Sequence, residues 1–329
     1  NVKKNITKQF IFSNENGKYI KKTIESKIVH SSNDIYSKFS DYNNDGYLDL
    51  FIINANENMI YKNLGNEKFE LSNSLDFSNF KSKRGVFMDF DIEGDLDLIL
   101  FDDKTIEVFQ NTSEGTFKKI KKNIGLDNSG LGTKLITHAD FNDDGDNDII
   151  IVKYNGKCDY YENMRGGNFQ LIEKNIGLNH FNSPGSVITG DYNNDGYIDL
   201  FISDLEKENH FLYENMGDAF FRLDKNWEIL KKEIPKVSGI DSKFLDFDND
   251  GYLDLLIAGE LSQKESNKSG LVLLHNQMGY FEDASHILPN KLGSVHQVEV
   301  FDYDTDGDLD MLIALTDGKI ELLENSGGN

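Results

Sequence analysis

Six times this chain sets oxygen-bearing side chains at the first, third, fifth and ninth positions of one short segment, D-x-D/N-x-D/E-G-x-x-D. The copies begin at Asp41, Asp89, Asp140, Asp191, Asp246 and Asp302. Donors at alternate positions of a tightly wound loop can all face one cation. In the first copy, DYNNDGYLD, these donors are Asp41, Asn43 and Asp45. Gly46 permits the positive φ that turns the loop back, after which the Tyr47 carbonyl and the Asp49 side chain complete an all-oxygen set. Ca²⁺ takes six to eight such ligands at about 2.3–2.6 Å, whereas the smaller Mg²⁺ keeps its waters. Zinc is disfavoured because no His or Cys falls inside any loop. The expected cofactor is therefore Ca²⁺, up to six ions per chain.

The other copies vary this set. The third offers Asp140, Asn142, Asp144 and Asp148, with Asp146 at the seventh position, and the fourth offers Asp191, Asn193, Asp195 and Asp199, with Tyr197 there. The fifth (Asp246, Asp248, Asp250, Asp254, with Tyr252) and the sixth (Asp302, Asp304, Asp306, Asp310, with Asp308) supply four carboxylates each. The second, Asp89, Asp91, Glu93 and Asp97 with Asp95, carries the longer Glu93 and is expected to be the weakest or most distorted. The first half of each loop matches the EF-hand spelling, but a closing acid at position twelve is not a consistent feature. The residues after position nine are β-branched and aromatic, so the loops join strands. A lone acidic turn often binds nothing. Six in register, each running into an apolar strand, argue against that reading.

The formal charge of −23 is nearly matched by the twenty-one carboxylates at positions one, three, five and nine of these loops. Six Ca²⁺ would leave −11, which still argues against nucleic acid or an anionic membrane as partner. Disorder does not explain the acidity, because 38% of the residues are hydrophobic. The single cysteine, Cys158, excludes an intramolecular disulfide, and metal loops can replace that staple. No apolar run is long enough to span a membrane. The chain opens at Asn1 without Met or a signal-like stretch, which suggests a trimmed product. Calcium is millimolar outside the cytosol, so the protein is expected to be extracellular or at the cell surface, with the periplasm as a variant.

The loops recur every 48 to 56 residues, the spacing of a repeat architecture. Each is followed by an apolar strand such as DLFII, then by a segment ending in Asn (MIYKN, IEVFQN, CDYYEN, HFLYEN, LVLLHN, IELLEN), a glycine turn and an aromatic strand. A segment of alternating polarity then enters the next loop. Four short strands per repeat make one blade of a β-propeller.

The loops DYNNDGYLDLF, DFNDDGDNDII and DYDTDGDLDML, with their YxNxxGxxF turns, resemble the FG-GAP/VCBS repeats of integrin α-subunit propellers. More specifically, NIGLDNSGLGTKLITHADFNDDGDNDIIIV and NMRGGNFQLIEKNIGL resemble propellers of the cartilage acidic protein-like group that carries an ASPIC/UnbV segment. The resemblance covers the chain from about residue 10 onward. It implies that the loop Asp and Asn residues named above are calcium ligands. It also implies that ENSGGN, from Glu324 to Asn329, is a junction where a longer protein continues.

The fold expected is all-β, one propeller domain over residues 1–329 with four-stranded antiparallel blades. KQFIFSNENGKYIKK reads as a third and fourth strand, and the last repeat stops after its third, which gives twenty-five strands and six blades. Seven is the alternative by family analogy. The strands near residues 8–24 are expected to help close the ring, since an open ring leaves unpaired edges.

The acidic loops join first to second strands and so share one face. Recognition is expected on the opposite face, carried by loops on a rigid scaffold. Candidates there are His30, Arg84, Lys134, His180, Lys243, His296 and the polar insertion from Glu260 to Gly270. Each taken alone is more often an ordinary solvated residue. Catalytic signatures such as a nucleophile elbow, HExxH or a phosphate loop are missing, so no catalytic residue is assigned. The leading function is a calcium-stabilised binding, adhesion or surface-assembly module with protein or glycan partners, self-assembly included. A lectin is the alternative, and a calcium-dependent polysaccharide lyase stands behind it.

Overall fold

The computed structural model describes residues 11–14, 19–22, 34–54, 57–65, 68–72, 77, 80–112, 115–126, 132–178, 181–206, 210–261 and 268–327. An antiparallel hairpin of β1 (Ile11–Asn14) and β2 (Tyr19–Lys22) comes first. The first blade is β3 (Asp34–Ser40), β4 (Asp49–Asn54), β5 (Asn58–Asn63) and β6 (Phe69–Leu71), hydrogen-bonded in that order. The second blade is β7 (Arg84–Met88), β8 (Asp97–Phe101), β9 (Ile106–Gln110) and β10 (Lys118–Lys119). The third is β11 (Thr133–Ala139), β12 (Asp148–Lys153), β13 (Cys158–Asn163) and β14 (Phe169–Leu171). The fourth is β15 (Pro184–Gly190), β16 (Asp199–Asp204), β17 (Phe211–Asn215) and β18 (Phe221–Leu223). The fifth is β19 (Asp241–Leu245), β20 (Asp254–Ala258), β21 (Leu271–Gln277) and β22 (Tyr280–Asp283). The sixth has three strands, β23 (Val295–Phe301), β24 (Asp310–Leu315) and β25 (Ile320–Leu323).

The twenty-five strands among the described residues and the six-bladed β-propeller agree with the sequence reading. Two helical turns were not anticipated. One is α1 (Trp227–Leu230), whose Trp227 N–H is capped by Asp224 at 2.6 Å and whose indole donates to the His210 carbonyl at 2.7 Å. The other is a single 3₁₀ turn at Ser285–Ile287.

Each second strand starts at the ninth residue of an acidic loop and continues as an apolar run, as in Ile149–Val152 or Leu255–Ala258, buried on both faces except at half-buried Leu312 and Ala314 of β24. Such a run suits a strand packed between neighbouring sheets rather than facing water. The first strands are less buried than the second, with Ser37, Lys38 and Phe39 of β3 exposed and β15 half-buried along most of its length, and they lie beside one another: β3 by β7, and β19 between β15 and β23.

The chain packs as two compact units, residues 1–133 with 161–171, and residues 134–160 with 172–329. In the first unit, Phe51, Phe77, Phe87, Phe109 and Phe117 join the first two blades, and Phe77 meets Phe51, Phe109 and Phe117 edge-on at 5.5–6.0 Å. Edge-to-face pairs add about 0.5–1.5 kcal/mol each beyond burial. In the second unit, one cluster around Phe141, Tyr160, Phe181 and Phe221 joins the third and fourth blades. Further clusters join fourth to fifth around Trp227 and Phe201, and fifth to sixth around Leu271, Val298 and Ile313.

Candidate metal centres

All six loops are wound by the same hydrogen bonds. The first-position aspartate accepts the fifth residue's N–H on Oδ1 and the glycine N–H on Oδ2. In the first loop, Asp41 takes these from Asp45 and Gly46 at 3.1 and 2.9 Å, and in the fifth Asp246 takes them from Asp250 and Gly251 at 3.0 and 2.9 Å. Asp89, Asp140, Asp191 and Asp302 repeat the pattern. Fifth-position aspartates then accept the seventh residue's N–H: Asp45 from Tyr47, Asp144 from Asp146, Asp195 from Tyr197, Asp250 from Tyr252 and Asp306 from Asp308, at 2.8–3.1 Å. Among the described residues Glu93, one methylene longer, makes no such bond.

The backbone conformation is equally uniform. The glycines have φ between 85° and 97°, as expected. The fourth residues, Asn44, Ile92, Asp143, Asn194, Asn249 and Thr305, also sit at positive φ, between 55° and 66°. A β-branched residue is costly there, so Ile92 and Thr305 adopt the conformation only because the loop demands it.

The ninth-position aspartates are buried, with at most 1% of Asp49, Asp97, Asp148, Asp199, Asp254 and Asp310 exposed. Each ties its loop to its surroundings. Asp199 accepts the Asn215 N–H at 2.7 Å and the Tyr192 N–H at 3.2 Å, and Asp254 accepts those of Asn276 and Phe247 at 2.7 and 2.9 Å. Asp97 and Asp310 do the same through Asn111 with Phe90 and Asn325 with Tyr303. Asp148 accepts from the Phe141 N–H and from the Tyr160 hydroxyl.

The expected ligand side chains converge. One oxygen from each of Asp89, Asp91 and Asp97 lies within 4.8 Å of the others, and the same holds for Asp246, Asp248 and Asp254 and for Asp302, Asp304 and Asp306. In the loops with Asn at the third position, its amide donates to a neighbouring carboxylate: Asn43 to Asp49 at 2.9 Å, Asn142 to Asp144 and Asn193 to Asp195 at 3.1 Å. Oδ1 atoms of Asp91, Asp95, Asn142 and Asp304 are buried without a hydrogen-bond partner. Burial pushes Asp97 and Asp199 up to about 8 and Asp49 and Asp254 up to about 6. Neighbouring loop carboxylates add to that rise, and the backbone donors oppose it. Crowded, desolvated carboxylates with unsatisfied oxygens are the donor set that a hard divalent cation fits.

Two kinds of residue outside the loops reach them, and the sequence reading assigned neither. The first is the Asn that ends each third strand. Its side chain donates to the carbonyl of the second loop residue one blade earlier: Asn111 to Tyr42, Asn163 to Phe90, Asn215 to Phe141, Asn276 to Tyr192 and Asn325 to Phe247, at 2.6–2.9 Å. In its own blade it also donates to the eighth loop residue, as Asn63 does to Leu48, Asn111 to Leu96, Asn215 to Ile198 and Asn276 to Leu253. Adjacent loops touch as well, since Asn44, Asn194 and Asn249 donate to the glycine carbonyl of the next loop.

The second kind is the residue just before that Asn. Lys62 pairs with Asp45 at 3.1 Å, Gln110 donates to Asp91 at 2.6 Å, and His275 lies 3.0 Å from Asp248. Glu324 in the sixth blade accepts from the Tyr303 hydroxyl at 3.0 Å.

Of the candidates proposed for recognition, Arg84 and His296 are exposed at the ends of β7 and β23. Lys134 lies over the Tyr154 ring at 5.6 Å, and Lys243 sits 3.6 Å from Asp241 and 3.7 Å from Glu299. His30, His180 and residues 262–267 of the insertion lie outside the described residues. The base of that insertion is anchored by the Gly270 N–H on the Gly293 carbonyl at 2.7 Å.

A family model described as an FG-GAP-like repeat matches residues 41–98, 140–202 and 246–313, which between them include all six acidic loops. Cartilage acidic protein 1 of Xenopus tropicalis is 27% identical over 202 residues, covering 55% of this chain and 28% of its own length. The Homo sapiens protein of the same name is 26% identical over 194 residues, with the same shares. The chain thus spans little more than a quarter of the length of these curated relatives. Among solved structures, an Agrocybe aegerita lectin described by its recognition of non-reducing terminal N-acetylglucosamine aligns with a TM-score of 0.56 at 19% identity. That alignment covers 88% of this chain and 71% of the lectin chain, a likeness of fold.

Proposed function

Because this chain belongs to the FG-GAP-like repeat family, we propose that it is an extracellular calcium-binding β-propeller that serves as a binding, adhesion or surface-assembly module. Its ions are structural. They hold six loops, and through them the blades, in the shape that presents a recognition surface elsewhere.

The observation that carries this reading is the common skeleton of the loops. In each, the first aspartate spends its hydrogen-bonding capacity on winding the backbone and the ninth on anchoring it, and in the second, fifth and sixth loops carboxylates from three of the positions one, three, five and nine crowd together. Such crowding is unfavourable until a cation neutralises it. Export supplies the calcium, and the similarity to cartilage acidic protein 1 supports it. No helix among the described residues is long and apolar enough to cross a membrane. Burial pushes the Cys158 thiol up to about 12, away from the thiolate form that a nucleophile needs.

A second reading, glycan recognition, is favoured by the likeness of fold to the Agrocybe aegerita lectin. In either case the partner is expected at exposed residues outside the calcium loops, such as Arg84, and calcium acts indirectly.

Thermal melting of metal-stripped protein, with and without added calcium, tests the structural role. One site at a hundredfold excess over its dissociation constant contributes about 2.7 kcal/mol. A melting curve unmoved by verified removal and return of calcium sinks the proposal. A glycan array separates the two partner classes: binding that survives in calcium and is lost in an Arg84→Ala protein of unchanged melting temperature favours the glycan reading.

A further inference from the structure

The residue before the third-strand Asn is Lys62, Gln110, Glu162, Glu214, His275 or Glu324 in successive blades, and Lys62, Gln110 and His275 reach carboxylates of their own loops. Of these, His275 alone carries a nitrogen lone pair. Its Nε2 lies 3.0 Å from Asp248 Oδ2 and 3.8 Å from Asp250 Oδ2. One ligand atom from each of these three residues sits within 4.8 Å of the other two. The nitrogen is buried, yet it has no partner in hydrogen-bonding geometry. A ring and a carboxylate in close contact without a hydrogen bond are arranged as two ligands that face a common point. The Phe247 ring meets the imidazole edge-on, with centroids 5.6 Å apart and planes at 75°, and so fixes its orientation.

We propose that the fifth loop is a mixed nitrogen–oxygen centre, in which His275 Nε2 joins Asp248 and Asp250 to hold a borderline divalent cation of the Zn²⁺ class in preference to Ca²⁺. This rests on the reading of the loops as cation sites and separates one of them from the rest. Calcium takes oxygen ligands, whereas imidazole suits zinc and its first-row neighbours. Asp248 belongs also to the all-oxygen group with Asp246 and Asp254. The loop therefore offers an oxygen face like that of its siblings and, on the side of β21, a face with nitrogen. The loop residues taken alone disfavour zinc. The contact that admits it comes from a strand lying beyond the 260–270 insertion.

The test titrates the metal-stripped chain, and a His275→Gln chain, with Zn²⁺ and with Ca²⁺ by calorimetry, and records the visible spectrum of each with Co²⁺ bound. His275 is partly exposed and Gln stands at the same position in the second blade, so the variant is expected to fold, with a melting curve as the check. The expected result is one Zn²⁺ bound at least tenfold more tightly by the parent chain than by the variant. A Co²⁺ ligand-field band that changes on loss of the nitrogen should accompany it, with Ca²⁺ binding at the other loops unaltered. Anomalous diffraction at the zinc edge should place the ion beside His275. Equal Zn²⁺ affinity in the two chains, or zinc density at another loop, overturns this inference. If Ca²⁺ binds elsewhere in that case, the general reading survives. A His275-dependent zinc site in a chain that binds no Ca²⁺ upholds the inference and sinks the general reading.

Discussion

Asn276 gives one amide hydrogen to the carbonyl of Tyr192, 2.7 Å away and 84 positions earlier in the chain, and the other to Leu253 in its own blade at 2.8 Å. Its backbone N–H reaches Asp254 at 2.7 Å, and its Oδ1 accepts the Gly279 N–H at 2.8 Å. One fully buried side chain thus joins two successive loops to one strand end.

Replacing it should be costly without any change in ligand number. Asn276→Ala orphans two carbonyls at about 1–3 kcal/mol each, so urea unfolding in saturating calcium is expected to show a loss of about 2–4 kcal/mol. A loss below about 0.5 kcal/mol, the size of an ordinary surface substitution, would mean that the clasp is decorative.

Positions nine and five should separate scaffold from ligand. Asp199 is buried and accepts two backbone donors, whereas exposed Asp195 accepts one at the rim of the loop. Asp199→Ala is expected to destabilise the chain with calcium and without it. Asp195→Ala should cost most of its stability only when calcium is present. Melting both variants in calcium and after metal removal checks this, and equal calcium dependence in the two would refute the division of labour.

The pH profile follows from the raised carboxylates. Asp97 and Asp199 near 8, and Asp49 and Asp254 near 6, lie above the ordinary 3.8 of an unfolded aspartate. The metal-free fold therefore takes up protons relative to the unfolded chain, and its stability rises as pH falls. The penalty is full above about pH 8 and gone below about pH 4. Calcium should reverse the trend at the acid end, where protons compete for its ligands. Metal-stripped protein that unfolds at the same urea concentration at pH 5 and pH 8.5 would contradict this.

Lys62 sets an ammonium 3.1 Å from the fifth-position carboxylate of the first loop. The pair is partly exposed and screened, so the effect is modest. Lys62→Gln is expected to raise calcium affinity at that loop roughly fivefold, about 1 kcal/mol. Calorimetry on a chain whose other loops are saturated reads it directly, and an unchanged or weaker affinity counts against the built-in cation. The expectation that Glu93 makes the second loop the weakest thus gains a rival in the first.

The loops, the strand that leaves each of them and the number of blades were legible because their causes are local. Ligand type, spacing and the apolar run lie within about fifteen consecutive residues of each copy. The Asn at the end of each third strand was visible as a repeated letter, but its partners lie 69 to 84 positions earlier, so its task was not. His275 and Lys62 were hidden for the same reason, since strand pairing brings them to the loops. The positive φ at the fourth position left no reliable trace, because Ile92 and Thr305 stand where Asn is the usual choice. Trp227 and its helical turn fell in a stretch without period, where a single Asp224 cap decides the local structure.

The clasps all point one way along the chain. In all five pairs from Asn111 to Asn325, the amide that secures a loop comes from the repeat that follows, never from the one before. During synthesis a loop must then wait for the next repeat to leave the ribosome before it is secured, and ion capture should advance one repeat behind translation. Trimming is asymmetric for the same reason. Loss of a repeat from the front leaves every remaining clasp supplied, whereas loss from the back strips the amide from the last loop that stays.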